Sequence, residues 1–124
     1  MIDPAKIKGY IQDHNAKHAS AAKDYADACT EYGRVLNDYQ RLLAQRIMVY
    51  RADRKNLGVD MAQLMALADH EWPEWTKFCE VSERVNYLEY YRKGMEQMLE
   101  AYKSESMTIM SLLKYQSDGE KFGN

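Results

Sequence analysis

Residues 25–50, YADACTEYGRVLNDYQRLLAQRIMVY, decide the fold. Tyr25, Ala28, Cys29, Tyr32, Val35, Leu36, Tyr39, Leu42, Leu43, Val49 and Tyr50 recur at spacings that keep them on one face of a helix. A second stripe of the same kind runs through Phe78, Val81, Val85, Leu88, Met95, Leu99, Tyr102, Ile109 and Leu113. The pattern is interrupted once, around residues 51–60. Two long amphipathic segments with one interruption predict an all-α fold. It is a long antiparallel helical hairpin, coiled-coil-like, with a short helix at the turn. Such a hairpin has no obvious pocket, and that restricts its possible tasks.

Working outward, Asn56-Leu57-Gly58 is a stop for the first helix, with Gly58 suited to the left-handed conformation. Asp60 and Gln63 have capping-box spacing, and Val59 and Leu64 are placed as a hydrophobic staple. These signals predict a short helix from Met61 to about Asp69, within a connecting segment 59–70. Met61, Leu64, Met65 and Leu67 would then cap the end of the hairpin. Trp72-Pro73-Glu74-Trp75 restarts the chain, with Pro73 in a first turn. A second long helix over 73–118 follows, with a kink or short gap at Ser104-Glu105-Ser106, because serine competes for backbone hydrogen bonds. Gly119 ends it and leaves 119–124 as a polar tail. At the other end, Asp3-Pro4 starts the first long helix, which extends to about residue 55. Its first 24 residues carry a poorer stripe, with Ile7, Ile11, Ala21 and Ala22 separated by His14, Asn15 and His18. The whole chain, 1–124, reads as a single helical domain.

With 46% hydrophobic and 29% charged residues, the 124-residue chain has an ordinary folded balance. Its net charge of −2 implies no global attraction to nucleic acid or anionic lipid. The charge is uneven: residues 1–55 carry net +3 and residues 56–124 net −5. A basic helix lying along an acidic one is the expected consequence. Tyr87, Tyr90, Tyr91, Met98, Met110 and Leu112 lie off the second stripe and widen its apolar surface. A second hairpin would cover them, so a homodimer forming a helical bundle is expected. The N-terminal Met-Ile-Asp-Pro-Ala-Lys lacks the apolar core of a signal peptide. No run of about 18 apolar residues exists, so no membrane span is expected. In the hairpin, Cys29 sits roughly 40 Å from the tip at about 1.5 Å per residue, while Cys79 is nearer. Two reduced thiols and a cytoplasmic setting are the expectation.

Few residues carry chemistry. His14 and His18 share a helix face, but a third ligand at useful spacing is missing, so no metal or cofactor is expected and both read as partly exposed polar residues. His70-Glu71 opens like a zinc-protease motif, but the second histidine is missing and Pro73 intervenes. No phosphate-cradling glycine loop or nucleophile elbow is present, which argues against an enzyme. Tyr25, Tyr32 and Tyr39 repeat every seven residues. Such a ladder could stack single-stranded bases, though a heptad aromatic stripe is ordinarily core. Arg46, Arg51, Arg54 and Lys55 form, with Arg41, the one dense basic segment. It complements the negative end of the first helix, and Arg46 would pair with acids of the second long helix. Alternatively the segment contacts phosphate or an acidic surface. Trp72, Trp75 and Phe78 lock the corner or, left open, anchor a protein partner.

Three segments resemble small helical-hairpin proteins encoded by tailed bacteriophages and prophages. They are Arg51-Ala-Asp-Arg-Lys-Asn-Leu-Gly58, Met61-Ala-Gln-Leu-Met-Ala-Leu-Ala-Asp69 and Glu105-Ser-Met-Thr-Ile-Met-Ser-Leu-Leu-Lys-Tyr-Gln-Ser-Asp-Gly119. The resemblance covers about half the chain and consists of helix caps and stripes. It implies a bacteriophage origin and the bacterial host cytoplasm. The function expected is that of a non-catalytic accessory or inhibitor, acting by protein–protein interaction on a host or phage protein. The alternative is a nucleic-acid-binding accessory of phage recombination or replication, using the basic segment.

Overall fold

The computed structural model describes residues 3–123, with side chains for 3–115 and 117. Three helices account for it: α1 (Pro4–Asp53), α2 (Val59–Ala68) and α3 (Trp75–Gly123). No strand occurs among the described residues. The start of α1 follows the sequence signal: the Asp3 carboxylate accepts the Ala5 N–H at 3.0 Å, capping an otherwise orphaned amide.

Burial along α1 repeats every seven residues. Ala21, Ala28, Val35 and Leu42 are buried, and Tyr25, Tyr32, Tyr39 and Arg46 lie half-buried between them. On α3, Phe78 and Val85, then Leu88 and Met95, keep the same step. This is the seam that sustained apolar a and d positions produce.

Contacts divide the chain into two compact units, one of Met1–Asp27 with Arg92–Asn124 and one of Ala28–Tyr91. In the first, the Tyr10 hydroxyl donates to Glu105, His14 meets Ser106, and the Tyr25 hydroxyl donates to Glu96 at 2.6 Å. In the second, Arg84 reaches Glu31 at 3.4 Å and the ring of Tyr39 stacks on Phe78 at 5.0 Å. Within each unit, segments of α1 and α3 are thus in contact. The second unit holds the larger core: Leu42, Leu43, Ala66, Trp72 and Phe78, with Tyr39, Ile47, Tyr50, Trp75 and Val81 packed around it.

Several expectations need correction. Gly58 is extended (φ −72°, ψ 159°) rather than left-handed, and it is the N-cap of α2, whose first carbonyl bond runs from Ala62 N–H to Gly58 O. The helix therefore begins two residues before Met61. Asp60 lies inside the first turn, where its charge suits the positive helix end without a capping bond. Val59 and Leu64 are both exposed and form no staple. The larger reversal concerns the inward face of α2. Ala62 and Ala66 are fully buried, whereas Met61, Leu64 and Leu67 face solvent and only Met65 is half-buried. Little room exists beneath α2, and methyl-sized side chains let its backbone come close.

Helix α3 is unbroken at Ser104–Ser106. The Ser106 hydroxyl donates to Tyr102 O at 3.0 Å and Thr108 to Ser104 O at 3.1 Å, so both bond back to a carbonyl four residues earlier instead of disrupting the ladder. It also continues through Gly119 to Gly123 in place of the expected tail, and Asn124 lies outside the described residues. One ion pair between the long helices runs against the net charge of the two halves. The Arg84–Glu31 pair puts the cation on α3 and the acid on α1. Among the described residues, no helix is long and apolar enough to cross a membrane. Cys29 and Cys79 are free and half-buried.

Candidate functional site

The second unit gathers most of the residues singled out above. Trp72 is 3% exposed and Phe78 4%, so neither offers a surface to a partner. Their rings lie 4.9 Å apart, and Trp75 meets Trp72 edge-on at 5.7 Å. Trp75 keeps partial access and stacks on His70 at 4.4 Å. The aromatic corner is thus packing, with Trp75 at its edge.

Arg46 separates from the other cations. Its guanidinium lies 4.8 Å from the Tyr50 ring centre and 5.6 Å from that of Trp72, and its Nη2 is 3.4 Å from Asp69. Its acid is therefore in the connection after α2, not on the second long helix. The reason is register: Arg46 follows Tyr25, Tyr32 and Tyr39 at the next seven-residue step and so points inward. Asp69, which ends α2, also accepts the Tyr50 hydroxyl and the Glu71 N–H (3.0 Å). The Tyr50 bond, the Glu71 amide and Arg46 hold its carboxyl below the ordinary aspartate value. Burial and the bond to Asp69 hold the Tyr50 phenol above its own.

The sign of the pH effect follows. A carboxyl whose folded-state pKa is depressed contributes stability that is present above its unfolded value, near about pH 4. That contribution is lost as pH falls through the lower folded value. Urea unfolding followed by tryptophan fluorescence should show this unit weakening below about pH 4. Asp69→Asn should be less stable at neutral pH and show a flatter acid limb. An unchanged limb would remove Asp69 from the account.

Arg51, Arg54 and Lys55 stand at the exposed end of α1. Arg51 Nε donates to Leu57 O at 3.2 Å and Arg54 approaches the Met65 sulfur at 3.9 Å, while Arg34, Arg41, Arg46 and Arg84 all pair with carboxylates. Among the described residues Arg51, Arg54 and Lys55 make no ion pair with a carboxylate, and Arg54 reaches α2 through Met65. A sequence reading turned Met61, Leu64 and Leu67 inward, and so missed that they are exposed.

The same unit holds a cleft of about 270 Å³ lined by Leu42, Gln45, Arg46, Val49, Trp72, Pro73 and Glu74. The first unit holds an apolar groove of about 680 Å³, to which Ile7, Tyr10, Ile11, Ile109, Leu112 and Leu113 contribute. Absence of an obvious pocket, expected of a bare hairpin, does not hold.

In that first unit His14 is 4% exposed, not the partly exposed residue expected. Its Nε2 is 2.7 Å from Ser106 Oγ and its Nδ1 3.5 Å from Glu105 Oε2, and the Tyr102 ring packs edge-on at 5.7 Å. The row of serine, imidazole and carboxylate invites comparison with a nucleophile, base and orienting acid. But Ser106 lies in a helix interior, with its hydroxyl bonded back to Tyr102 O and the neighbouring amides used by the helix. No backbone donor is left there to hold a developing oxyanion. The row ties α1 to α3. No group of three or more potential metal ligands occurs among the described residues.

Comparison with known proteins finds no match: no family model, curated protein or solved structure is similar to this chain.

Proposed function

We propose that this chain is a non-catalytic interaction protein of bacteriophage type. It works in the bacterial host cytoplasm as an accessory or inhibitor of a host or phage protein. Its two long helices form an antiparallel, coiled-coil-like hairpin that pairs with a second copy into a bundle. The support for pairing is the exposed apolar set on α3, Tyr87, Tyr90, Tyr91, Met98, Met110 and Leu112.

One observation carries the choice of a protein partner. Met61 (54% exposed) and Leu64 (62%) face outward with Val59 and Leu67, and the exposed cations Arg51, Arg54 and Lys55 precede α2 by a few residues in the chain. A helix that is apolar on all sides is ordinarily covered on all sides. Aliphatic and methionine side chains suit a helix-in-groove contact, with the cations setting orientation against acidic neighbours. The same cations support a second reading, contact with nucleic-acid phosphate.

Two variants separate these readings. A photo-crosslinker at position 67, used in the bacterial host, should join wild type to a discrete protein. Met61→Ser/Leu64→Ser should lose that product. Arg51→Glu/Arg54→Glu should keep it but form it more slowly and with greater salt sensitivity. DNA or RNA binding at near-physiological salt that survives the serine pair and vanishes on charge reversal would instead establish the second reading. No crosslinked protein and no nucleic-acid binding would leave neither.

A further inference from the structure

The apolar groove of the first unit, about 680 Å³, has the size of a small-molecule site. Ile7 and Ile11 of α1 and Ile109, Leu112 and Leu113 of α3 supply its walls. They stand at steps of three and four, so each helix gives the groove one aliphatic face. Polar groups are few. Tyr10 has committed its hydroxyl to Glu105, and Tyr115 is 80% exposed. Lys6 is the one charged residue in the lining among the described residues.

Charge and shape together narrow the occupant. Lys6 lies in the first turn of α1, where the helix end adds partial positive charge and no acidic residue stands. Asp3, the nearest acid in sequence, is held on the Ala5 N–H at 3.0 Å. The Glu105 carboxylate sits at Tyr10, about one helical turn further along α1. The rim is thus positive near the start of α1 and negative one turn on. An anionic head is drawn to the first place and repelled from the second, which fixes its direction. A second copy fits badly. Across a two-fold axis each groove would face its own concave twin, and each Lys6 the other.

We propose that this groove takes a free medium-chain fatty acid, with its carboxylate at Lys6 and its alkyl chain along the isoleucines and leucines. The site goes beyond the protein-binding reading and lies in the other unit from the exposed face of α2. Each methylene of such a ligand that leaves water tightens binding by about fourfold. The single cation adds a smaller, directional preference.

Five isoleucines make the methyl spectrum of the chain simple to read. Three line the groove, while Ile47 packs on the core of the second unit and serves as the control. The full chain is titrated with decanoate, octanoate and decyltrimethylammonium, each below its micelle concentration. Decanoate should shift the Ile7, Ile11 and Ile109 methyls saturably and leave Ile47 in place, with a dissociation constant of about 0.1–1 mM. Octanoate, two methylenes shorter, should bind about tenfold more weakly. Decyltrimethylammonium, with the same chain and the opposite charge, should bind about fivefold more weakly than decanoate. Lys6→Glu, at an exposed position, should reverse that preference. Leu112→Glu, at an exposed position of the wall, should abolish decanoate binding while the other methyls report an intact fold. No saturable shift, equal movement of Ile47, equal affinity for the two head groups, or a carboxylate preference kept by Lys6→Glu would each overturn the inference. Leu112 also belongs to the apolar set offered for pairing, so light scattering accompanies the titration. An unchanged mass is expected, and a mass that falls would mean that a second copy occupied the groove, which also overturns it.

Discussion

Trp72→Ala should lower the unfolding free energy by about 3–5 kcal/mol, the cost of removing a large aromatic from a packed core. Trp72 is nearly inaccessible, and its ring meets Phe78, Trp75 and the Arg46 guanidinium at once. Alanine would leave a hole that the surrounding side chains, drawn from α1, α2 and α3, cannot all close. The expected readout is a marked fall in the urea midpoint, followed by circular dichroism at helical wavelengths. Trp75→Ala makes the comparison sharper. That ring is half-buried and its nearest ring partner is exposed His70, so the expected cost is about 1–2 kcal/mol. Equal midpoints for the two variants, or an unchanged one for Trp72→Ala, would refute the burial described for this corner.

Ala66→Leu should destabilise the second unit by about 1–3 kcal/mol or more, because three further carbons have nowhere to go. Ala66 is fully buried against the cluster of Leu42, Leu43, Trp72 and Phe78. Leu64→Gln, two residues earlier on the open side, should stay within about 0.5 kcal/mol of wild type. Ordinary intuition gives the opposite order, since removal of a leucine is expected to hurt more than addition of one. The pair of midpoints measures directly which side of α2 faces the core. A larger loss for Leu64→Gln would mean that α2 seats through its bulky residues.

That contrast marks where reading from residues alone succeeds and where it stops. The seven-residue step through Ala21, Ala28, Val35 and Leu42 is long enough to expose the inward seam of α1, and Asp3-Pro4 marks where α1 begins, whereas Gly58, read as the stop of α1, caps the start of α2 instead. The same step, taken once more beyond Tyr39, would have placed Arg46 inside. Taken two further steps back from Ala28, it would have done so for His14. Polarity hid both, though a polar group with partners is as much at home on a seam as an apolar one. The α2 segment, VDMAQLMALA, carries little such contrast, because eight of its ten residues are apolar. Which side turns inward depends on the space left by Trp72 and Leu43, and no local spacing encodes that. For the candidate site, the tryptophan corner and the basic segment were legible as clusters. The cleft, the groove and the Asp69 node were not, since each joins residues far apart along the chain.

The phenol–carboxylate ties described above set how the helices respond to their medium. Tyr10 to Glu105, Tyr25 to Glu96 and Tyr50 to Asp69 each join an uncharged donor to an anion. Dissolved salt weakens attraction between opposite charges over the Debye length, but a phenol has no charge to screen. Tyr10 is held above its ordinary pKa by that bond to Glu105, so it keeps its proton into more alkaline solution. A tyrosine side chain is also rigid, with two rotatable bonds against the four of lysine. Each tie is therefore a strut of fixed length that brine leaves intact, and a chain built on such struts tolerates swings in cellular ion content that would loosen a zipper of lysines and glutamates.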